Sequence, residues 1–405
     1  VVSSTLPSIE HPSRGFRGPG AARRLATLAL ALGGFGIGTT EFVAMGLLPE
    51  ISTGLDISEP TGGHLISAYA LGVVVGAPLI AALTARMPRR ALLIALMVAF
   101  TLGNAASVIA PDYTTLMIAR FVAGLPHGAY FGVAALVAAH LAEPGRRAKA
   151  VASVMLGLSV ANVVGVPVAT WLGQHLGWRA AFALVAVIGV VTVASLTRWI
   201  PRLDAMPITN PITELGALTR VQVWLTLILG MVGFGGMFAV YSYISTTLTD
   251  VSGLSRSLVP VALALYGLGM VVGNVVGGHL ADRALMTSLV VLMTALMAIL
   301  AAFVVAAHNP VTAVVFLFLI GFAGAAMIPA LQTRLMDVAA DAQTLAAALN
   351  HAALNIANAF GAWIGGVVIA AGLGYTAPAA VGAGLAAAGL LVLAVAVTLE
   401  RRARR

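Results

Sequence analysis

The run LATLALALGGFGIGTTEFVAMGLL, residues 25–48, decides the fold. It holds a single charge, Glu41, in a stretch longer than the roughly 20 apolar residues a lipid-crossing helix requires. Arg23-Arg24 followed by an apolar run mimics a secretory signal. The run passes Glu41 without a small-residue cleavage site, so it reads as a retained first span. Similar segments recur along the chain. They predict further spans at 63–84, 91–110, 114–139, 150–173, 179–198, 222–246, 258–281, 288–307, 311–333, 344–370 and 377–398.

Composition supports the same reading. Of 405 residues 60% are hydrophobic and 9% charged, with a mean hydropathy of +1.01, whereas soluble domains carry about 25% charged residues. The 44 glycines suit helices packed closely in lipid. With no cysteine, disulfides, thiolate metal sites, iron–sulfur clusters and cysteine nucleophiles are excluded.

A net charge of +8 suggests nucleic acid only until the basic residues are placed. Arg14, Arg17, Arg23, Arg24, Arg86, Arg89, Arg90, Arg146, Arg147, Lys149, Arg198, Arg202, Arg220, Arg283, Arg334 and the cluster Arg401 to Arg405 fall on one face of a twelve-span chain. Arg179 and Arg256 fall on the other. By the positive-inside rule both termini are expected in the cytoplasm, in a cell inner membrane. The expected organisation is a disordered tail over 1–22, a six-helix bundle over 23–198, a cytoplasmic linker over 199–221, a second bundle over 222–398 and a basic tail over 399–405. A monomer in the lipid bilayer, with no nucleic-acid partner, is the expected form.

The halves repeat. A shift of 197 residues carries Gly33, Gly36 and Gly38 onto Gly230, Gly233 and Gly235, and Gly124 onto Gly321. A shift of 196 carries Ala161-Asn162 and Gly165 onto Ala357-Asn358 and Gly361. Chance matches in Ala/Gly-rich sequence would scatter in shift, and these do not. The fold class is therefore an all-α membrane protein with 12 transmembrane helices in two pseudo-symmetric six-helix bundles, a frame that places a substrate site between the halves and works by alternating access.

Specific motifs then resemble the major facilitator superfamily, in its twelve-helix drug:proton antiporter branch. Gly38-Thr-Thr-Glu-Phe-Val-Ala-Met-Gly-Leu-Leu-Pro49 is similar to the first-helix motif of a subgroup of chloramphenicol exporters and sugar or arabinose efflux proteins. Arg120-Phe-Val-Ala-Gly-Leu-Pro-His-Gly-Ala129 resembles its fourth-helix motif, including Pro126. Gly157, Asn162, Gly165 and Pro167 resemble its antiporter-associated fifth-helix motif, followed by Gly177-Trp-Arg-Ala-Ala-Phe182. The family's cytoplasmic loop motif is split. The first half keeps Arg86, Arg89 and Arg90 but has Ala85 where the family has Asp, while the second half keeps Asp282 and Arg283. The resemblance implies that these loop residues, with Pro126, Gly165 and Pro167, govern conformational change, Asp282 locking one state.

Among 14 acidic residues only Glu41 lies well inside a predicted span, and among 22 basic residues only Arg120 does so clearly. A charge at the bilayer centre costs at least about 2.5–3.5 kcal/mol, so such a residue faces a cavity or partner. The helical rise puts the two at similar depth, about 10 Å and about 9 Å from the outer helix ends. Gly34, Gly38, Glu41 and Met45 share one face. Desolvation there favours the protonated carboxyl and a neighbouring guanidinium favours the carboxylate. This opposition suits a proton-coupling pair; the alternative is a pair that merely braces two helices.

Candidate substrate contacts are Tyr130, Asn162, Tyr241, Tyr266, Asn274 and the stripe His351, Asn355 and Asn358 at i, i+4 and i+7. Interhelical hydrogen bonds would produce the same pattern. His127 beside Pro126 is a relay candidate or a local hydrogen-bond partner. No metal constellation, catalytic cluster or G-x-x-x-x-G-K-[ST] loop is present, so a cofactor-free transporter driven by an ion gradient or by the substrate's own gradient, not an enzyme or ATP-driven pump, is expected. Two functions stand: proton-coupled export of small amphipathic drugs such as chloramphenicol-like antibiotics, or efflux of sugars or metabolites.

Overall fold

The computed structural model describes residues 20–84, 87–143, 146–203, 218–339 and 343–403. Arg86, most of the 1–22 tail and linker residues 204–217 lie outside them. The first half comprises α1 (Gly20–Gly46), the short α2 (Leu48–Gly54), α3 (Glu59–Leu83), α4 (Arg89–Ile109), α5 (Tyr113–Leu141), α6 (Arg147–Val160), α7 (Val166–Leu176) and α8 (Trp178–Trp199). A π-helical turn, Ala161–Gly165, joins α6 to α7 as one pass. Gly177, at φ +89, makes the sharp corner into α8. A side chain would be strained there. Ser58 and Asp112 cap α3 and α5 by accepting from the amides of Thr61 and Thr115. Those bonds from Thr115 hold the Asp112 carboxyl below its usual range.

The second half comprises α9 (Val221–Ser242), α10 (Val259–Ala306), α11 (Pro310–Ala339), α12 (Gln343–Ala370) and α13 (Ala377–Ala403). Among the described residues eleven helices are long and apolar enough to cross a membrane. One of them is two passes. The 48 residues of α10 would measure about 72 Å as a straight rod, against a hydrocarbon core of about 30 Å. The chain leaves helical geometry at Ala284, φ −158 and ψ 78, and Ser288 Oγ donates to the carbonyls of Leu280 and Ala284 at 2.8 Å. Twelve passes result, with the break inside the expected 282–287 loop.

The sequence repeat is a packing repeat. A Cβ on Gly72 or Gly76 of α3 would strike the carbonyl oxygens of Phe121 and Leu125 on α5. A Cβ on Gly269 or Gly273 of α10 would strike those of Phe318 and Phe322 on α11, each residue 197 positions on. Gly124 lies against the carbonyl of Tyr69, and Gly321 against that of Tyr266, again at the same shift.

Two expected boundaries are corrected. Helix α1 begins at Gly20, inside the stretch read as a tail, and α13 runs to Ala403, so Arg401 and Arg402 are helical. Arg334, at the basic end as expected, is buried in α11, donating to Glu400 Oε2 at 2.7 Å and Gln222 Oε1 at 3.2 Å. Its apolar run simply continues as helix beyond the predicted span end.

The halves meet through α3 against α12 and through α10 against the π turn and α7. At the end remote from the start of α1, they are tied closely. Arg256 Nε meets Glu50 Oε1 at 3.0 Å, Thr246 Oγ1 donates to Glu59 Oε2 at 2.5 Å, and Ser67 Oγ donates to the Ala359 carbonyl at 2.9 Å. Tyr375, between α12 and α13, joins this group; burial first, and then the Glu59 carboxylate, push its phenol up to about 12. At the basic end the ion pairs Arg23–Glu143, Arg146–Glu143 and Arg334–Glu400 stay within one half. Asp282 and Arg283 are exposed and form no ion pair within 4 Å among the described residues. Arg90 donates to the Thr197 carbonyl, also within its half.

A cysteine pair tests whether that tied end must separate. With no native cysteine, Ser67→Cys with Ala359→Cys is the only pair that can oxidise. Cross-linking is expected to abolish net transport reversibly, with full recovery on reduction. Undiminished transport by the cross-linked protein would show that this end stays closed throughout.

Candidate substrate and coupling site

Helix α1 brings Glu41 into the centre because its glycines allow neighbours to close around it. A Cβ on Gly38 would meet Leu158 and Ala161 of the α6 pass, and one on Gly33 would overlap the Tyr130 phenol of α5. Glu41 is 8% exposed and Arg120 is 0% exposed. Arg120 Nη1 donates to Thr40 Oγ1 and Nη2 to the Thr40 carbonyl, both at 3.0 Å. Thr40 Oγ1 in turn donates to Asn104 Oδ1 at 2.5 Å, linking α1, α4 and α5. The guanidinium lies over the Tyr69 ring at 4.4 Å and the Phe182 ring at 5.3 Å, where aromatic faces partly replace lost hydration.

The shared depth expected for Glu41 and Arg120 is therefore present, since Arg120 grips the residue next to Glu41. The two do not form an ion pair: among the described residues none joins them within 4 Å. They interact across the site instead, with the Asn358 amide beside the carboxyl. Neither Asn358 amide atom completes a hydrogen bond, however. Tyr69 from the first half and Tyr266 from the second both lie near the Glu41 carboxyl.

Around this centre lie buried polar atoms without hydrogen-bond partners: the Tyr266 hydroxyl, both Asn358 amide atoms, Asn162 Oδ1 and Arg120 Nε, with Asn355 Oδ1 likewise unpaired further along α12. Each is costly to bury unpaired, by about 1–3 kcal/mol. Asn162 sits on the π turn, whose carbonyl lies against Gly267, next to Tyr266. Tyr241 stacks on Tyr266 with ring centroids 4.0 Å apart, and Phe42 meets Tyr241 edge-on at 5.9 Å. Glu41, Tyr266, Tyr241 and Asn358 are thus brought together. Gly165 closes the π turn and Pro167 lies in the first turn of α7; a Cβ on Gly165 would strike Thr39 of α1.

Other candidates go elsewhere. Tyr130 is fully buried and donates to the Leu30 carbonyl at 2.9 Å, bracing α5 on α1 instead of lining a cavity. Asn274 is exposed on α10 and is not one of the buried set. Asn355 Nδ2 donates to the His351 carbonyl within its own helix. His351 stacks on Phe131 of the first half, with centroids 6.4 Å apart and planes at 4°. His127, next to Pro126, pairs its Nδ1 with the Tyr69 hydroxyl at 3.1 Å. Thr40, Tyr69 and Asn104 were missed by the sequence reading, although the shift that relates Tyr69 to Tyr266 was available to find one of them.

Comparisons with known proteins agree with this architecture. The family model described as Major Facilitator Superfamily matches residues 30–343 and 252–405. The inner membrane transport protein YdhP of Escherichia coli (strain K12) is 45% identical over 90% of this chain and 94% of its own length. The putative transporter AraJ of the same organism is 36% identical over 86% of this chain and 89% of its own. A chloramphenicol resistance protein of Streptomyces lividans is 35% identical over 86% and 88%. Among solved structures, a bacterial homolog of the human lysosomal transporter Spinster, inward-facing and unoccupied, superimposes with a TM-score of 0.71 over 94% of this chain and 96% of that one. At 18% identity that likeness concerns the fold alone.

Proposed function

This chain belongs to the Major Facilitator Superfamily, and from that premise we propose that it exports small amphipathic compounds in exchange for protons. The observation that carries the reading is the buried Glu41 carboxyl, held near the Arg120 guanidinium without pairing to it. A carboxyl that desolvation and a cation pull in opposite directions changes protonation when its access to water changes. Alternating exposure of such a group couples proton entry on one side to substrate exit on the other. The phenol and amide groups beside it supply hydrogen bonds, and Tyr241 and Phe42 supply apolar surface. Similarity to a chloramphenicol resistance protein supports phenicol-like antibiotics as the first substrates to try. In this reading the chain sits in the inner membrane with both termini cytoplasmic, the basic end facing inward.

The test is resistance of an efflux-deficient host across an antibiotic panel, paired with uptake into everted vesicles. Expression should raise tolerance to at least one amphipathic compound. A protonophore or Glu41→Gln should collapse its gradient-driven uptake, and full uptake in that variant would overturn the coupling. A second reading, efflux of sugars or metabolites, is favoured by the unpaired Tyr266, Asn162, Asn355 and Asn358 groups. Resistance to none of the compounds, with proton-driven efflux of a sugar, would select it.

A further inference from the structure

Away from the Glu41 cluster, a cleft of about 700 Å³ opens between the basic-end halves of α1 and α6. Its walls are apolar, formed by Leu28, Leu32, Phe35, Leu156 and Val160, and its rim carries Arg23, Arg24 and Arg146. Glu143 accepts from Arg23 at 3.0 Å and meets Arg146 at 3.5 Å, so one carboxylate gathers two guanidiniums and leaves the rim net positive with Arg24.

The cleft is open sideways. Leu28 is 62% exposed and Leu156 58%, and the exposed face continues through Val160, Val164, Val168 and Trp171. That spacing of three and four is a single helical stripe, running from the rim along the whole α6–α7 pass. A stripe so apolar on a crossing helix faces acyl chains. The cationic rim therefore lies where lipid headgroups meet the protein, above a groove shaped for their tails.

We propose that this cleft binds one anionic phospholipid of the leaflet on the basic side, its phosphate on Arg24 and Arg146 and a chain along Leu156 and Val160. Arginine suits the phosphate because its planar fork donates two hydrogen bonds at once. Basic pockets between crossing helices are favourable headgroup sites. The second half does not repeat the rim. At the 197 shift Arg24 becomes Val221 and Arg146 becomes Gln343, while Arg23 becomes Arg220, which donates to the Val338 carbonyl. The site is thus an addition to the first half, independent of what the central cavity carries.

Native mass spectrometry of the full chain tests it, titrating phosphatidylglycerol against phosphatidylcholine of the same chains. The expected result is a one-to-one phosphatidylglycerol adduct about tenfold more abundant than the phosphatidylcholine adduct. Arg24→Gln should reduce that preference severalfold, and Arg24→Gln with Arg146→Gln should remove it. Arg401→Gln with Arg402→Gln, basic and exposed on α13, should leave it intact. Arg24 is exposed, so its single variant keeps the test decisive even where the double variant is poorly folded. Equal adducts of the two lipids, or an unchanged preference in Arg24→Gln, would overturn the proposal. Loss of preference only in the α13 control would place the lipid elsewhere and also overturn it.

Discussion

Arg120→Leu is expected to destabilise the protein by about 1–3 kcal/mol and to stop gradient-driven transport, and adding Glu41→Gln is expected to restore part of the stability but none of the coupling. The guanidinium is fully buried and holds two acceptors on Thr40, while Glu41 has Arg120 as its one cationic neighbour among the described residues. Leucine leaves Thr40 Oγ1 still donating to Asn104, so the hydrogen bonds alone do not account for a large loss. A further cost is a buried carboxyl without its cation, which the neutral glutamine removes. Arg120→Lys is expected to fail as well. One ammonium cannot fork between Thr40 Oγ1 and the Thr40 carbonyl while lying flat on Tyr69. Thermal unfolding in detergent measures the first effect and vesicle uptake the second. No recovery in the double variant would mean that the two side chains are energetically independent.

What the sequence revealed of this site depended on contrast with lipid. Glu41 and Arg120 stand out because a charge in an apolar run is costly, and the Asn355 and Asn358 stripe because amides recur on one helical face. Tyr69, Thr40 and Asn104 carry no such contrast. Threonine and tyrosine are ordinary in crossing helices, and their roles arise only from where α3 and α4 pass α1. Tyr130 shows the converse: its polar tip suggested a cavity, but the adjacent α1 backbone offers the Leu30 carbonyl. The burial of Arg334 carried no local sign, because its partners, Glu400 and Gln222, lie 66 and 112 residues away in sequence. Long-range pairing of that kind has no local signature. The twelve-pass frame, by contrast, follows from length and hydropathy alone, including the break near Ala284.

The halves share their frame and differ in their chemistry. Glu41 and Arg120 correspond at the repeat shift to Phe238 and Leu317, both buried and apolar. Tyr69 and Tyr266 correspond to each other and approach the same carboxyl from opposite halves, but Tyr69 is bonded to His127 whereas the Tyr266 hydroxyl is unpaired. At this pair of positions the symmetric scaffold therefore presents a hydrogen-bonded phenol on one side of Glu41 and an unsatisfied one on the other. Substrate contact is accordingly expected to fall mainly on the second half.

If the repeat is a mechanical unit, breaking it should cost the same in either half. Gly76→Val and Gly273→Val are each expected to prevent accumulation of folded protein, because a Cβ at either position would occupy the carbonyl oxygen of Leu125 or Phe322. The obstacle is backbone, which cannot swing aside as a side chain can. Both helices of the pair would have to separate along their length, forfeiting the close contact that holds helices together where lipid offers no hydrophobic drive. Overpacking a single rigid contact costs about 1–3 kcal/mol, and valine's branched side chain adds further contacts on the same face. Gly278→Ala is the control, since nothing lies within 4 Å of its Cβ, and it should fold as the native chain does. Size-exclusion profiles of fluorescent fusions would report all three. A tolerated Gly273→Val beside a lethal Gly76→Val would mean that the α10–α11 contact can slide, and that the second half is the one that deforms during transport while the first, with its charged centre, moves as a rigid body.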